Sequence, residues 1–532
     1  MRLGIDFGTT RVTVAAADRG NYPVVSFECP DGAVRDWFPP LVAVRNQEIR
    51  YGWEAWGVQG EPGWTVVRSL KRLLGQAGLE TRVEAGRRLL SLSELLGGLT
   101  AALKQYLLER SNLRLTTTPQ IMLGVPANSN TNQRFLTAEA FRLAGFEVLG
   151  VLNEPSAASI EFGHFHRLAG ASRGPSCVLV YDLGGGTFDA SLVEADEQTH
   201  TVIASEGLET LGGDDFDEIL ARLALERAGA DFESLSQAET FRLLEECRQK
   251  KEALHPNTRR ILVDLDAVRP DWGEVTVPVG DFYDACRPLV EETIHVVEDL
   301  LAAHGFSAEG ARRPDALYVT GGGSELPLVA RELRERFERR VKRSAHARSA
   351  TAIGLAIQAD TSAGYRLRDR FTRNFGVWRE ADGGARITFD VLFPKGQALP
   401  APGEWPLEIS RQYRPVHNIG HFRYLECSRV DETGRPAGDI TLWDEIRFPF
   451  DPALENCRDL EGVPVMRSEE ASRHVIEEAY ACDAGGAVSV TISNLTTGHS
   501  RVYRLARWAA REAPLRPGKL LSRARRSQAG SS

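Results

Sequence analysis

Up to about Asp360 the apolar positions alternate between short continuous runs and helical stripes, which predicts an α/β fold. The opening "RLGIDFG" reads as a strand, "QIMLGVP" as a short buried strand ended by Pro126, and "FEVLGVLN" as another. "TVVRSLKRLLGQ", "SLSELLGGLTAALKQYLLERS" and "NTNQRFLTAEAFRLAG" have helical spacing, and "EPSAASIEFGHF" begins a helix with Pro155 in its first turn. Residues from about Asp215 to Leu254 read as mostly helical, Ile261 to Val279 as β-rich, and Val290 to His304 as a helix. "ALYVTGGGSELPLVARELRERF" is strand, glycine turn, helix, and "ATAIGLAIQA" closes the α/β part. From about Phe375 the pattern changes to strand runs with turn signals: "ARITFDVLF", "PLEIS", "HFRYLEC", "DEIRFPF", "VIEEAYACD", "AVSVTISN" and "SRVYRLARW". These predict a β-sandwich. The expected division is an α/β domain at 1–362 with halves at about 1–175 and 176–362. A polar and basic connector follows at 363–374, then a sandwich at 375–510 and a basic, disordered tail at 511–532.

Composition changes this picture little. An apolar fraction of 42% supports ordinary cores, and a net charge of −9 with well-mixed charges argues against a body-wide nucleic-acid surface. The seven cysteines stand apart without a C-x-x-C, which predicts a reduced, cytoplasmic protein with no disulfide frame or zinc knuckle. No basic-then-apolar leader opens the chain, and no apolar run approaches the roughly 20 residues of a membrane span.

An internal repeat carries the chemistry. Asp6-Phe7-Gly8-Thr9-Thr10 and Asp182-Leu183-Gly184-Gly185-Gly186-Thr187 are both strand, Asp, apolar residue, glycine turn, Thr, strand. They predict two related halves, each offering one hairpin to a shared cleft. A glycine turn lets backbone N–H groups approach an anion with no Cβ in the way. Two facing turns can therefore grip a polyphosphate, and carboxylates at the strand ends suit a hydrated Mg²⁺. On this reading Asp6 and Asp182 hold the metal's water shell and Asp189 lies close enough to help. A lone glycine triplet would be an ordinary turn; the second copy and a third run, Gly321, Gly322 and Gly323, argue otherwise. There is no G-K-[ST], and a strand follows the glycines, so this is neither a P-loop nor a dinucleotide fingerprint. Lys71 falls on the apolar stripe of Val67, Leu70 and Leu74, where it either snorkels or points into a phosphate cleft. Glu154, between a strand and a helix start, either answers the helix dipole or orients water and the metal's shell.

Together "GIDFGTT", "LKRLLG", "VPA…QR", "NEPSAAS", "YDLGGGTFD", "LGGDDFD" and "VTGGGSELP" resemble, in order and spacing, the DnaK-type 70-kDa heat-shock chaperones, the heat shock protein 70 family. The resemblance covers about two-thirds of the chain strongly. It implies an actin-like (duplicated, ribonuclease-H-like) ATPase domain that binds ATP or ADP with Mg²⁺ and turns over slowly. It implies phosphate contacts from Gly8, Thr9, Thr10 and Gly184 to Thr187, and metal and water organisation by Asp6, Asp182, Glu154 and Asp189. Lys71 would be the catalytic lysine, with Thr187 beside it. Gly212, Gly213, Lys251 and Gly321 to Gly323 would line the nucleoside site, and Pro126 and Arg134 would relay nucleotide state to the second domain.

Departures are concentrated at the nucleoside. The family has an acid where Arg248 stands, a base at Glu252, a serine at His255, an arginine at Glu325 and an acid at Arg348. Base and ribose contacts are thus rewritten, and the inverted charges of Arg248 and Glu325 would compensate each other if close. The C-terminal part resembles the family's client-binding sandwich more faintly, and with about 24 residues after Trp508 the long helical lid is missing. The connector has only Tyr365, Leu367 and Phe371 in place of the family's leucine-rich linker, so weak docking is expected. The leading expectation is an ATP-hydrolysing, stress-response chaperone gating unfolded or extended polypeptide, with a possible co-chaperone or nucleotide exchange factor and no specific nucleic acid. The alternative is a nucleotide-dependent regulatory module with a dedicated partner and little turnover; a small-molecule kinase would leave the sandwich without a role. His417 and His421 are not expected to bind metal, "HFH" at 164–166 reads as a solvated helix end, and the nine tryptophans read as packing residues.

Overall fold

The computed structural model describes residues 1–505 except 75–77, 79–80, 114, 116, 169–175, 308–311, 382–385, 402–403 and 458. The tail expected at 511–532 lies outside the described residues. Arg2–Phe7 pairs antiparallel with Val12–Ala16 and parallel with Gln120–Val125, which pairs parallel with Glu147–Asn153, giving a four-stranded sheet. A six-stranded sheet repeats the plan. Ser176–Leu183 pairs antiparallel with Phe188–Asp196 and parallel with Ala316–Thr320. In each sheet the hairpin's first strand has a parallel neighbour on its other side, so the repeated motif occupies the same topological place twice. The strands are buried along most of their length, as Val178 to Leu183 shows, which is why they read as continuous apolar runs.

Two helices hold the sheets together. Glu154–Leu168 and Ala350–Ala359 pack on each other and, with strands of both sheets, share one buried cluster. Their contact faces are small. A Cβ on Gly354 would lie 1.8 Å from the Ala157 carbonyl oxygen, and one on Gly4 2.2 Å from that of Ala352. The Ala-, Ser- and Gly-rich composition of "EPSAAS" and "ATAIGLA" therefore sets how closely the two sheets approach.

Three readings of elements in the α/β part need correction. Thr65–Val67 is a strand paired with Val42–Arg45, and only Leu70–Leu73 is helical. The β-branched run found a partner strand, and Ser69 in the left-handed region (φ 54°) separates it from the helical turn. The helix expected from Val290 begins at Val279, because Phe282 and Cys286 extend its buried face through Pro288. His164 is buried beside Tyr22 and Tyr365, with ring centroids 5.3 and 6.0 Å away, and is not a solvated end.

The β-rich part comprises two four-stranded sheets around one core. Asn374–Ala381, Arg386–Phe393, Ile419–Val430 and Pro436–Pro449 form one; Leu407–Tyr413, Ile476–Cys482, Val488–Asn494 and Ser500–Leu505 form the other. Strict alternation places Ile476, Glu478, Tyr480 and Cys482 inside. The buried Glu478 carboxylate is answered by a bidentate Arg379 at 2.8 and 2.9 Å. Among the tryptophans Trp405 is 91% exposed and so is not a packing residue. The seven cysteines form no disulfide, and among the described residues no helix is long and apolar enough to cross a membrane.

The connector does not hang free. Arg366–Arg368 adds to the six-stranded sheet as a parallel partner of Thr199–Leu208, and Tyr365, Leu367 and Phe371 are all buried. Backbone pairing with an edge strand supplies docking that a count of leucines misses. Beyond it the sandwich rests on the first α/β half: Glu426 accepts from the Thr131 N–H at 3.1 Å and from its hydroxyl, at the N-terminus of the Thr131–Leu143 helix. Arg373 stands 3.8 Å behind that carboxylate. Leu367→Ala should weaken docking of the connector by about 2–5 kcal/mol and expose it, which limited proteolysis checks: faster cleavage near residue 367 is expected, and an unchanged rate would show that strand pairing alone holds the segment.

Candidate functional site

The two matched turns face each other. A Cβ on Gly185 would lie 2.5 Å from Thr10 Oγ1, and one on Gly186 2.9 Å from Thr9 Cγ2. The second turn is locked from behind: Gly184 N–H donates to the Thr187 carbonyl at 2.9 Å, and the N–H groups of Gly213 and Asp214 donate to the carbonyls of Gly184 and Gly185 at 2.9 and 2.7 Å. The third turn packs against the second. Gly321 is left-handed (φ 82°), and a Cβ there would lie 2.2 Å from the Leu183 carbonyl oxygen, so only glycine fits.

These turns line one cavity of about 100 Å³. Asp6, Lys71, Glu154 and Asp182 border it, as do Gly8, Thr9, Thr10, Gly184, Gly185 and Thr187. So do Gly213, Lys251, Gly321, Gly322 and Gly323. Gly186, Gly212 and Asp189 lie just behind the wall. Gly186 presents its carbonyl to Arg72 at 3.0 Å, and a Cβ on Gly212 would lie 2.6 Å from the Gly185 backbone. Asp189, directly opposite Asp182 in the hairpin register, accepts the Ala127 N–H at 2.9 Å.

Electrostatically the site is a buried excess of carboxylate around one lysine. The Lys71 ammonium is paired with Glu154, both nearly inaccessible. Burial opposes that charge, but Glu154 and Asp6 outweigh it and hold the lysine above its ordinary value. Burial, then the Glu154 charge, pushes Asp6 up to about 8 and Asp182 and Asp189 up to about 7. Lys251 bonds the Gly213 carbonyl and Asp217, each at 2.6 Å, pinning the helix that carries "LGGDDFD".

From this floor a path of contacts leads to the sandwich. Pro126 ends the Gln120–Val125 strand, and the next N–H is the one held by Asp189. Asn130 caps the following helix, Thr131 meets Glu426, and Arg134 bonds Asn153 and reaches the Gly485 carbonyl at 3.1 Å. Asn153 in turn donates to Asp369 of the connector at 2.8 Å.

At the outer end Arg248 and Glu325 do not compensate each other. Arg248 pairs with Glu245 and lies over Trp56. The partner of Glu325 is Arg348, at 2.5 Å, which also holds Glu252 at 2.9 Å. His255 is exposed and does not border the cavity. Sequence reasoning missed Arg11, Arg72, Asp214 and Asp217. Arg11 directly follows the Thr-Thr of the first turn, Arg72 follows Lys71, and the aspartates belong to "LGGDDFD", so proximity to motif residues was the available signal.

The sequence profile of the family described as Hsp70 protein matches residues 96–372, more than half of the chain. The chain is 31% identical to the chaperone protein HscA of Klebsiella pneumoniae (strain 342), over 94% of this chain and 77% of that protein. It is 27% identical to the chaperone protein HscA homolog of Herminiimonas arsenicoxydans over the same shares. With Vibrio vulnificus (strain CMCP6) the corresponding HscA homolog is 28% identical over 93% of this chain and 76% of its own length. The repeated glycine hairpins, the buried lysine between them and these relatives lead to one assignment: the chain belongs to the Hsp70 family.

Proposed function

We propose that this protein is an ATP-hydrolysing chaperone, its two α/β halves forming an actin-like nucleotide-binding domain and its sandwich taking unfolded or extended polypeptide. The observation that carries this reading is the buried Lys71–Glu154 pair set between two opposed glycine turns. A lysine held charged there stabilises the charge that develops on a transferring phosphoryl group. Glu154 orients the attacking water, Thr9, Thr10 and Thr187 meet the phosphates, and Asp189 stands behind as a second carboxylate. The donor set suits Mg²⁺. The buried carboxylates outnumber Lys71 and are pushed toward protonation, a bias a divalent cation reverses. Among the described residues no three ligating side chains converge into a direct metal cage. Asp6 and Asp182 would therefore hold the ion largely through its water shell, and the ion would supply charge neutralisation at the phosphates.

A second reading, a regulatory module with a dedicated partner, draws support from the sandwich. Its cavity of about 590 Å³ is bordered by charged and aromatic side chains, among them Arg379, Asp390, Arg411 and Tyr413, together with the aliphatic Val416, Ile419 and Val465. Arg379 and Arg411 both hold Asp390, at 2.7 and 3.0 Å. The charged groups in this lining favour partners with particular polar side chains. Measuring ATP turnover with and without an unfolded polypeptide separates the readings: stimulation is expected for the chaperone.

Lys71→Ala should lower turnover at least about a hundredfold while nucleotide still binds the glycine turns, checked by single-turnover hydrolysis alongside calorimetry. Equal rates in variant and wild type would remove Lys71 from catalysis. The carboxylates predict a pH dependence. Their folded values, about 7 for Asp182 and Asp189 and about 8 for Asp6, stand above their unfolded ones near 3.8. The folded state thus binds protons more tightly, and the stability this confers is complete at low pH and lost as pH rises through 7 to 8. In chelator, the melting temperature should fall across that window; Asp182→Asn should flatten the fall, and so should Mg²⁺ with nucleotide.

A further inference from the structure

The outer end of the cleft is crossed by a continuous run of alternating charges. Arg11, directly after the first glycine turn, donates from one terminal guanidinium nitrogen to both carboxylate oxygens of Glu252, each at 2.8 Å. Glu252 also accepts from Arg348 at 2.9 Å, Arg348 holds Glu325 at 2.5 Å, and Glu325 lies 3.3 Å from Arg343. Arg11, Glu252 and Arg348 border the same cavity as the phosphate-facing glycines. The run begins on the first α/β half and ends on the second.

We propose that this Arg11–Glu252–Arg348–Glu325 ladder is the specificity-determining element of the cleft: it takes up the nucleoside end, so that a nucleotide is held by its polyphosphate and metal and its base goes unread. The proposal rests on the nucleotide reading of the cleft given above. Three observations carry it. First, the charges satisfy one another: each carboxylate of the ladder already meets two guanidinium groups, leaving few acceptors or donors for a base edge. Second, among the described residues no aromatic side chain borders the cavity. The nearby rings each have one face occupied, Trp37 by Arg11 at 5.0 Å and Trp56 by Arg248 at 5.3 Å. Third, Arg11, Glu252 and Arg348 border the same cavity of about 100 Å³ as the glycine turns. A nucleoside extending from the turns therefore meets the ladder, whereas the phosphate end is lined by turns ready for an anion.

A site built to hydrogen-bond one base rejects others by orders of magnitude; this one should not. Calorimetry on the full chain with Mg²⁺ tests the proposal using ATP, GTP and inorganic tripolyphosphate. ATP and GTP should bind within about threefold of each other. Glu252→Gln, which keeps shape and removes the central charge, should raise affinity for both nucleotides at least about fivefold relative to tripolyphosphate. Arg11→Gln, which frees the same carboxylate from the other side, should also raise it, and melting curves verify that both variants fold. A tenfold or greater preference of the wild type for one base overturns the proposal. So does weaker nucleotide binding by Glu252→Gln, which would mean that the carboxylate contacts the nucleoside. Either result leaves the nucleotide reading standing. Absence of binding by all three ligands removes that reading and the proposal with it.

Discussion

Two helices crossing on alanine, serine and glycine decide how the α/β part is built. With Gly354 lying on the Ala157 carbonyl and Gly4 on that of Ala352, no larger side chain fits between the sheets. Their separation is therefore set by backbone contact, a hard constraint in a close-packed interior. This proximity brings Gly185 against Thr10 and turns two separate hairpins into the two sides of one cleft. A single added methyl at Gly354 would spread the sheets and open the turns without touching a site residue.

The closeness has an electrostatic consequence. Carboxylates that stand at equivalent strand ends in each half are forced together, and Lys71 is the ammonium paired among them. Pairing offsets part of the cost, but burial first and the Glu154 charge second still raise Asp6, Asp182 and Asp189. A buried charge imbalance is costly for a protein that only needs to fold. It is well suited to one that receives a cation and a phosphate chain, because binding then relieves strain already present.

Buried polar contacts also join the cleft to the sandwich. The N–H held by Asp189 belongs to the loop that leads into the Thr131–Leu143 helix, and that helix's first N–H groups meet Glu426 of the sandwich. A carboxylate at a helix N-terminus is favoured by the helix dipole and by the unpaired donors there. The connector closes the circuit through Asp369 and Asn153.

Much of this was legible in the residues themselves. The glycine hairpins, the alternating α/β elements and the seven strand runs are local patterns, and local patterns report backbone conformation directly, because a strand end with Asp-x-Gly has few other ways to fold. The motifs of the cleft were recognisable for the same reason. Thr65–Val67 was misread because three β-branched residues beside a helical stripe suit either state, and only the partner strand Val42–Arg45 settles it. The pairing of charges was not legible at all. Arg348 with Glu325 and Glu252, Arg11 with Glu252, and Glu426 with Thr131 join residues between 23 and 295 positions apart. Likewise Arg366–Arg368 looked like a polar connector until an open sheet edge was placed beside it. Sequence determined which elements form and which chemistry they carry; tertiary structure alone decided which charge meets which, because Coulombic and hydrogen-bond partners are chosen by distance in space, which no local pattern encodes.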